Sequence, residues 1–422
     1  MTRILDTGNE SGARPVKAAP KEDSPASGKL RNVYTLGLVS LLTDISSEMV
    51  FSVLPTFLLS LPGSSVELLG LIEGAAEGLS YALRSVSGIF SDMFRKRKLL
   101  VLIGYGLSTI VKPLFATARV GSDILVIRVV DRIGKAIRTS PRDALLSDSV
   151  PAEKRGMAFG IHKTLDLSGS IIGPVVASAL MLFVGLTVRD VFWLSFIPGT
   201  IALMVLLFLV QERLGKGKGE YRLLQGMRIV LRGRFVTLLV LVGLFSLGAF
   251  SASFVLIYAK EAGVRDSLIP LVYMIINVAS ILVAIPSGIL SDRIGREKTL
   301  FIGYGLFLSV SLLILFSFVS LSSAFLIAVV FGAYEGIVAT VQRALVPEYA
   351  ESSYRGTAYG LYYLVVGSAF FGSNAVVGAL WGFMGPRASA TYSAVLTTAA
   401  LVGMMLFTSR RNEEAAIRPE IH

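Results

Sequence analysis

The chain contains no cysteine and only two histidines, one of them the C-terminal residue. Disulfides, zinc–thiolate sites and thiol catalysis are thereby excluded, and a histidine-rich metal centre has no ligands to draw on. Charge is scarce as well. Asp, Glu, Lys and Arg make up 16% of the residues, against about 25% in soluble domains. That deficit argues against a soluble enzyme or a nucleic-acid binder, despite a net charge of +11. A Gly-x4-Gly-Lys-Ser/Thr phosphate loop is missing too, so direct coupling to ATP would need another subunit. No cofactor and no metal are expected.

What the chain has in abundance is apolar sequence: 53% hydrophobic residues and a mean hydropathy of +0.70 over 422 residues. Divided into spans of about 20–25 residues, such a chain holds about a dozen transmembrane helices. Residues 1–32 are polar and rich in Lys, Pro, Ser and Ala, with no signal-peptide core, and read as a disordered cytoplasmic tail. Apolar spans follow at 33–61, 66–91, 99–118, 122–146, 156–184 and 190–211, then at 235–260, 267–291, 299–320, 322–347, 356–383 and 387–409. The expected organisation is an N-terminal six-helix bundle (33–211), a basic cytoplasmic linker (212–234), a C-terminal six-helix bundle (235–409) and a cytoplasmic tail (410–422). The fold class is therefore an all-α membrane protein of twelve helices.

Charge asymmetry orients the spans. With the N-terminus inside, the inner segments collect Arg95, Lys96, Arg97, Lys98, Lys154, Arg155, Arg293, Arg296, Lys298, Arg355, Arg410 and Arg411, besides the basic tail and linker. The outer loops hold only Arg119, Arg189, Lys260, Arg265 and Arg387. Lys and Arg accumulate on the cytoplasmic side, so both termini are expected there.

The two halves also repeat one another. Ser87-Gly88-Ile89-Phe90-Ser91-Asp92 returns two hundred positions on as Ser287-Gly288-Ile289-Leu290-Ser291-Asp292, and Arg155-Gly156-Met157-Ala158-Phe159-Gly160 as Arg355-Gly356-Thr357-Ala358-Tyr359-Gly360. A duplicated six-helix unit suggests a transporter whose site lies between the halves, near mid-membrane.

With these motifs the chain resembles the major facilitator superfamily over nearly all of 33–409. The family's signature between helices 2 and 3 is Gly-x-x-x-Asp-Arg-x-Gly-Arg-Arg/Lys. The second half follows it with Gly288, Asp292, Arg293, Gly295 and Arg296, departing at Glu297. The first half keeps Gly88, Asp92 and Arg97, with Met93 and Arg95 replacing the first Arg and second Gly. The resemblance implies that these residues form a latch made in one conformation and released in the other. Arg128 on helix 4 matches the arginine that the family associates with proton coupling, although Asp131 and Arg132 replace the Gln-Gly that should follow. Gly160, Gly169, Gly173 and Pro174 on helix 5 match the family's antiporter signature, with Ala177 and Ser178 in place of its last two glycines. Thr43-Asp44-Ile45-Ser46-Ser47-Glu48-Met49 is similar to the opening of a widespread bacterial and archaeal branch.

Ionisable residues inside a bilayer cost at least about 2.5–3.5 kcal/mol each at the helix centre, which makes them functional candidates. Here they crowd the first half. Asp44, Glu48, Glu73, Glu77, Arg128, Asp131, Arg132, Lys135, His162 and Asp166, with Glu335 alone from the second half, are the candidates for substrate binding and proton coupling. Glu335 falls at mid-depth opposite the basic stripe of helix 4 and is expected as its partner across the pocket. At 1.5 Å of rise per residue, Glu48, Glu73 and Arg128 fall at one depth, near the outer third, and Asp44, Glu77, Asp131, Arg132 and Asp166 at another, near the middle. One reading is a structural salt-bridge network joining helices 1, 2, 4 and 5, and Arg84, Arg138, Arg142 and Asp143 fit it best. The other is that Asp44, Glu48 or Glu77 exchanges a proton as the cavity alternates. His162 reads as a packed hydrogen-bonding residue, and Lys112-Pro113 as a kink with a snorkelling or paired lysine. Tyr362, Tyr363, Phe370 and Phe371 either line the cavity or pack helices.

The function expected from these features is secondary active transport by alternating access. A monomer in the cytoplasmic membrane would export a small polar or amphiphilic organic compound in exchange for protons. The alternative is proton-coupled uptake of an anionic metabolite, with Arg128, Arg132 and Lys135 as its ligands. The partners are the small-molecule substrate, protons and the lipid bilayer, with no nucleic acid. No nucleophile–base pair suggests an enzyme.

Overall fold

In a computed structural model, the described residues are 25–94, 97–151, 154–212, 231, 233–316, 319–349 and 355–417, with side chains described except in 25–30, 85–94, 355 and 410–417. They are helical and contain no strand. The first bundle comprises α1 (Pro25–Phe51), α2 (Leu54–Ser60), α3 (Val66–Phe94), α4 (Arg97–Val111), α5 (Gly121–Asp148), α6 (Arg155–Phe183), α7 (Val188–Leu194) and α8 (Phe196–Leu209). The second comprises α9 (Gly233–Gly248), α10 (Ala252–Glu261), α11 (Ile269–Ile294), α12 (Arg296–Phe316), α13 (Leu321–Leu345), α14 (Arg355–Met384) and α15 (Pro386–Ile417). The pairs α1–α2, α7–α8 and α9–α10 are each one pass interrupted by a short break, so the helices make twelve passes in two sets of six.

Span ends agree with the sequence reading to within a few residues, except at the termini. The first helix starts at Pro25 instead of 33, and the last runs to Ile417 instead of 409. Residues 1–24 and most of the 212–234 linker lie outside the described residues. Among the described residues, ten helical stretches are long and apolar enough to cross a membrane. The two passes outside that set, α3 and α5, carry several ionisable residues turned to the interior: Glu73 and half-buried Glu77 on α3, and Arg128, Asp131, Arg132 and Arg138 on α5. Their polar faces turn inward, while large apolar side chains such as Phe183, Phe208, Leu282, Ile285 and Phe383 stand exposed on the outer surface. That distribution is the one a lipid surround requires.

Within each half the helices meet through small residues. Gly169 and Gly173 of α6 lie against α1 so closely that a Cβ would stand 2.6 Å from the Leu41 carbonyl oxygen and 2.7 Å from that of Ile45. Close packing of α6 on α1 thus accounts for two of the antiporter-signature glycines. In the second half Gly332 and Gly336 seat α13 on α11 at Ile276 and Ser280 in the same way.

The seam between halves differs at its two ends. At the end away from the termini, here the far side, α3 runs antiparallel to α14 with glycines on both. Gly70 faces Gly378 and Asn374, Gly74 faces Phe371, Gly78 faces Gly367, and Glu67 lies on Gly382. Beside it, Ser178 donates to the Ser267 carbonyl at 2.6 Å and Asn277 to the Ser170 carbonyl at 2.9 Å, joining α6 to α11. Toward the tail side the described residues pack less closely: residues 154–157 are exposed, and none of the described residues brings an atom within 4 Å of a Cβ built at Gly156, Gly160 or Gly356.

Candidate functional site

Between the bundles lies a cavity of about 370 Å³ whose walls come from both halves. The first half contributes charge: Glu73, Glu77, Arg128 and Arg132, with Phe51 and Tyr81. The second contributes rings and small polar groups, among them Phe245, Ser251, Tyr273, Tyr334, Gln342, Tyr362 and Tyr363, together with Glu335 and Arg343.

The charges on the first wall are paired. One nitrogen of Arg128 donates to both Glu73 oxygens at 3.2 Å, and Arg132 reaches Glu77 at 2.9 Å. These pairs form because α3 and α5 pack side by side and the residues four apart on each helix stack on one face. Arg128 also lies over the Phe51 ring at 3.8 Å, and Arg132 at 5.0 Å. Nε and Nη1 of Arg128, and Nε of Arg132, are buried without hydrogen-bond partners.

Helix breaks bring backbone to the same place. The chain departs from helix at Ser52–Val53 between α1 and α2, and at residues 249–251 between α9 and α10. Irregular backbone at membrane depth is tolerated where its polar groups find partners. Here α14 supplies them: Ser373 donates to the Ala249 carbonyl at 2.6 Å, and the Asn374 amide oxygen accepts from Ser251 N–H at 3.0 Å. The freed Ser251 hydroxyl donates to Glu73 at 3.4 Å, linking the halves through an ion pair. Asn374→Leu strands that N–H and is expected to lower stability by about 1–3 kcal/mol. Thermal unfolding of the detergent-purified variant beside Asn374→Gln checks it, and an unchanged unfolding temperature would show that the break does not depend on Asn374.

The remaining candidates sit inside the first bundle. Asp44 and Asp166 lie in contact across α1 and α6. Asp166 also accepts from Ser40 at 2.6 Å and Lys163 at 2.8 Å. Glu48 approaches Tyr273 of the other half, with one oxygen buried and unpartnered. Asp131 turns to α4, accepting from Ser108, and does not line the cavity. Lys135 has Arg132, Glu77, Arg84 and Asp44 as its charged neighbours. His162 is buried, its Nε2 unpartnered among the described residues. Lys112 neither snorkels nor meets an acid at salt-bridge distance: it is fully buried in a 3₁₀ turn, Lys112–Thr117, and donates to Ser46 at 3.0 Å and the Thr43 carbonyl at 3.4 Å. Of the latch residues, the Gly88 and Asp92 side chains lie outside the described residues. Arg97 pairs with Asp148, and Arg296 bridges Glu348 at 2.8 Å with Asp292 at 3.9 Å. Gly288 lies beside Thr340, and Gly295 ends α11 with a positive φ of 97°. Arg293 is exposed, as is Gly160, and Pro174 is buried within α6.

Three of the four aromatics singled out from sequence, Tyr362, Tyr363 and Phe370, line the cavity; Phe371 instead packs on Gly74 and Gly78. Sequence reasoning missed Phe51, Tyr81, Tyr273, Tyr334 and Gln342. For two of them a signal was available, since Tyr81 lies one turn after Glu77 and Tyr334 directly precedes Glu335.

Twelve membrane passes in two repeated bundles around a polar central cavity define a secondary transporter. The chain belongs to the major facilitator superfamily, whose profile matches residues 36–373 and 236–421. It is 32% identical over 382 residues to an uncharacterized MFS-type transporter of Methanocaldococcus jannaschii, covering 89% of this chain and 94% of that one. It is 23% identical to the multidrug resistance protein MdtG of Klebsiella pneumoniae, over 95% of this chain and 98% of the relative. Among solved structures, the nucleoside transporter NupG superposes with a TM-score of 0.71 at 13% identity, covering 89% of this chain and 98% of that one. At that identity the likeness concerns the fold.

Proposed function

We propose that the protein is a proton-coupled exporter of a small polar or amphiphilic organic compound, a monomer in the cytoplasmic membrane with both termini inside. The observation that carries this reading is Glu335, an acid that faces the central cavity with no cation at salt-bridge distance among the described residues. Glu73 and Glu77 are committed to arginines; Glu335 is free to exchange a proton against a substrate. The basic tail side is taken as cytoplasmic by the positive-inside rule, so a cavity sealed on the far side and loosened on the tail side is ready to load from within. Export is supported by the distant multidrug relatives. Since packing explains Gly169 and Gly173, the helix 5 pattern adds little to the direction of transport. Glu48 and the Asp44–Asp166 pair, set behind the cavity wall, are proposed to relay or buffer the proton.

Everted membrane vesicles energised by respiration, with an acid-trapped fluorescent dye, test this. A panel of drugs, amino acids, organic anions and organic amines is added in turn. At least one compound is expected to dequench the dye in wild-type vesicles and to fail in Glu335→Gln vesicles. Silence across the panel, with the compounds accumulated by intact cells instead, would overturn export.

A further inference from the structure

Resting on the reading of the central cavity as the transport site, we infer that the substrate is an organic cation with an aromatic or apolar body, and that Glu335 receives its positive charge. Every other acid lining the cavity has an arginine partner; Glu335 has neither ion pair nor hydrogen bond among the described residues. With Glu73 and Glu77 neutralised by their arginines, Glu335 is the cavity carboxyl left without a counter-charge among the described residues, so its own charge favours a cation over an anion. The backbone that carries it is fixed, because Gly336, the next residue, seats α13 directly on the α11 backbone at Ser280.

The rest of the wall suits the body of such a ligand. Tyr334 adjoins Glu335 in the chain, and Tyr273, Phe245, Tyr81 and Tyr362 line the same space. Ring faces carry negative charge density and attract cations, most strongly where water is excluded. The Tyr362 hydroxyl is occupied by Gln342 at 2.9 Å, which leaves its ring rather than its polar end for a ligand.

The opposite wall does not provide an anion site in this conformation. Arg128 and Arg132 are bound to Glu73 and Glu77, and Nε and Nη1 of Arg128 and Nε of Arg132 are buried. An anion would have to break an ion pair to reach them. Arg343, the remaining cavity cation, lies eight residues along α13 from Glu335, about 12 Å toward the tail side.

A matched pair of probes separates charge from shape: 2-naphthylmethylamine, an ammonium ion at neutral pH, and 2-naphthoate, a carboxylate with the same ring system. Calorimetric titration of the detergent-purified full chain is expected to show the amine binding at least tenfold tighter. Glu335→Gln should weaken the amine at least tenfold and leave naphthoate unchanged, while Glu335→Asp retains most of the amine affinity. If Glu335→Gln does not fold, the wild-type preference and the Glu335→Asp variant still decide the matter. Tighter binding of naphthoate, an amine affinity indifferent to Glu335→Gln, or binding of neither probe would each overturn the inference. Titration needs no proton gradient, so it fails independently of transport. An amine bound through Glu335 that never dequenches energised vesicles would leave the cation site standing and remove proton-coupled export.

Discussion

Replacing Arg128 by methionine is expected to abolish transport and to lower stability by about 3–5 kcal/mol, the range for removing one member of a buried ion pair. The pair is nearly closed to solvent, with side chains 5% and 4% exposed. Without the guanidinium, Glu73 keeps only the 3.4 Å hydrogen bond from Ser251 among the described residues. Pairing the change with Glu73→Gln removes the stranded charge and should recover most of the stability without recovering transport. Thermal unfolding and vesicle efflux of the two single variants and the double variant give the comparison. A double variant no more stable than Arg128→Met would show that the arginine acts through Phe51 and packing rather than through Glu73.

Gly74→Leu should abolish transport while the protein still folds. A Cβ at this position would already lie 2.8 Å from the Phe371 carbonyl oxygen and 3.3 Å from its Cα. No rotamer relieves a backbone contact, so the two helices must part. At Gly74 they belong to different bundles, and parting is the motion alternating access requires. Gly173→Leu presents the same clash against Ile45 and Met49 within one bundle, and there separation means loss of the first bundle's packing. The expected results are therefore opposite: a folded, inactive Gly74→Leu and a poorly folded Gly173→Leu, distinguished by detergent-solubilised yield and unfolding temperature. Two equally unstable variants would mean that the far-side seam is part of the permanent core.

The depth of each charge was legible in the sequence, because every long apolar helix measures membrane depth at the same rise per residue. That is why Glu73 and Arg128, expected at one level, form a pair, and why Glu77 meets Arg132 and Asp44 meets Asp166. Rotation about the helix axis was not legible. Asp131 is adjacent to Arg132 in the chain, yet faces Ser108 on α4 while Arg132 faces the cavity. No continuous polar stripe runs along α11–α15, so little in their pattern marks which tyrosines turn inward. The glycines of α3 and α14 stood in plain view, but a glycine does not name the helix it will lie against. Glu335 was recoverable because an isolated acid in an apolar helix is conspicuous, but the partner expected for it was not found: the arginines of the basic stripe that line the cavity are taken by Glu73 and Glu77 on the neighbouring helix.

Alternating access about the far-side seam is the claim on which the account depends, and it can be tested before a substrate is known. The cysteine-free chain accepts spin-label pairs without background. Ser65 and Arg387 are exposed at the far side, Lys154 and Lys298 at the tail side. Double electron–electron resonance on Ser65→Cys/Arg387→Cys and on Lys154→Cys/Lys298→Cys, each with and without Gly74→Leu, reads both ends of the molecule. The wedge should lengthen the far-side distance and shorten the tail-side distance together. A far side that opens while the tail side stays where it was would contradict alternating access.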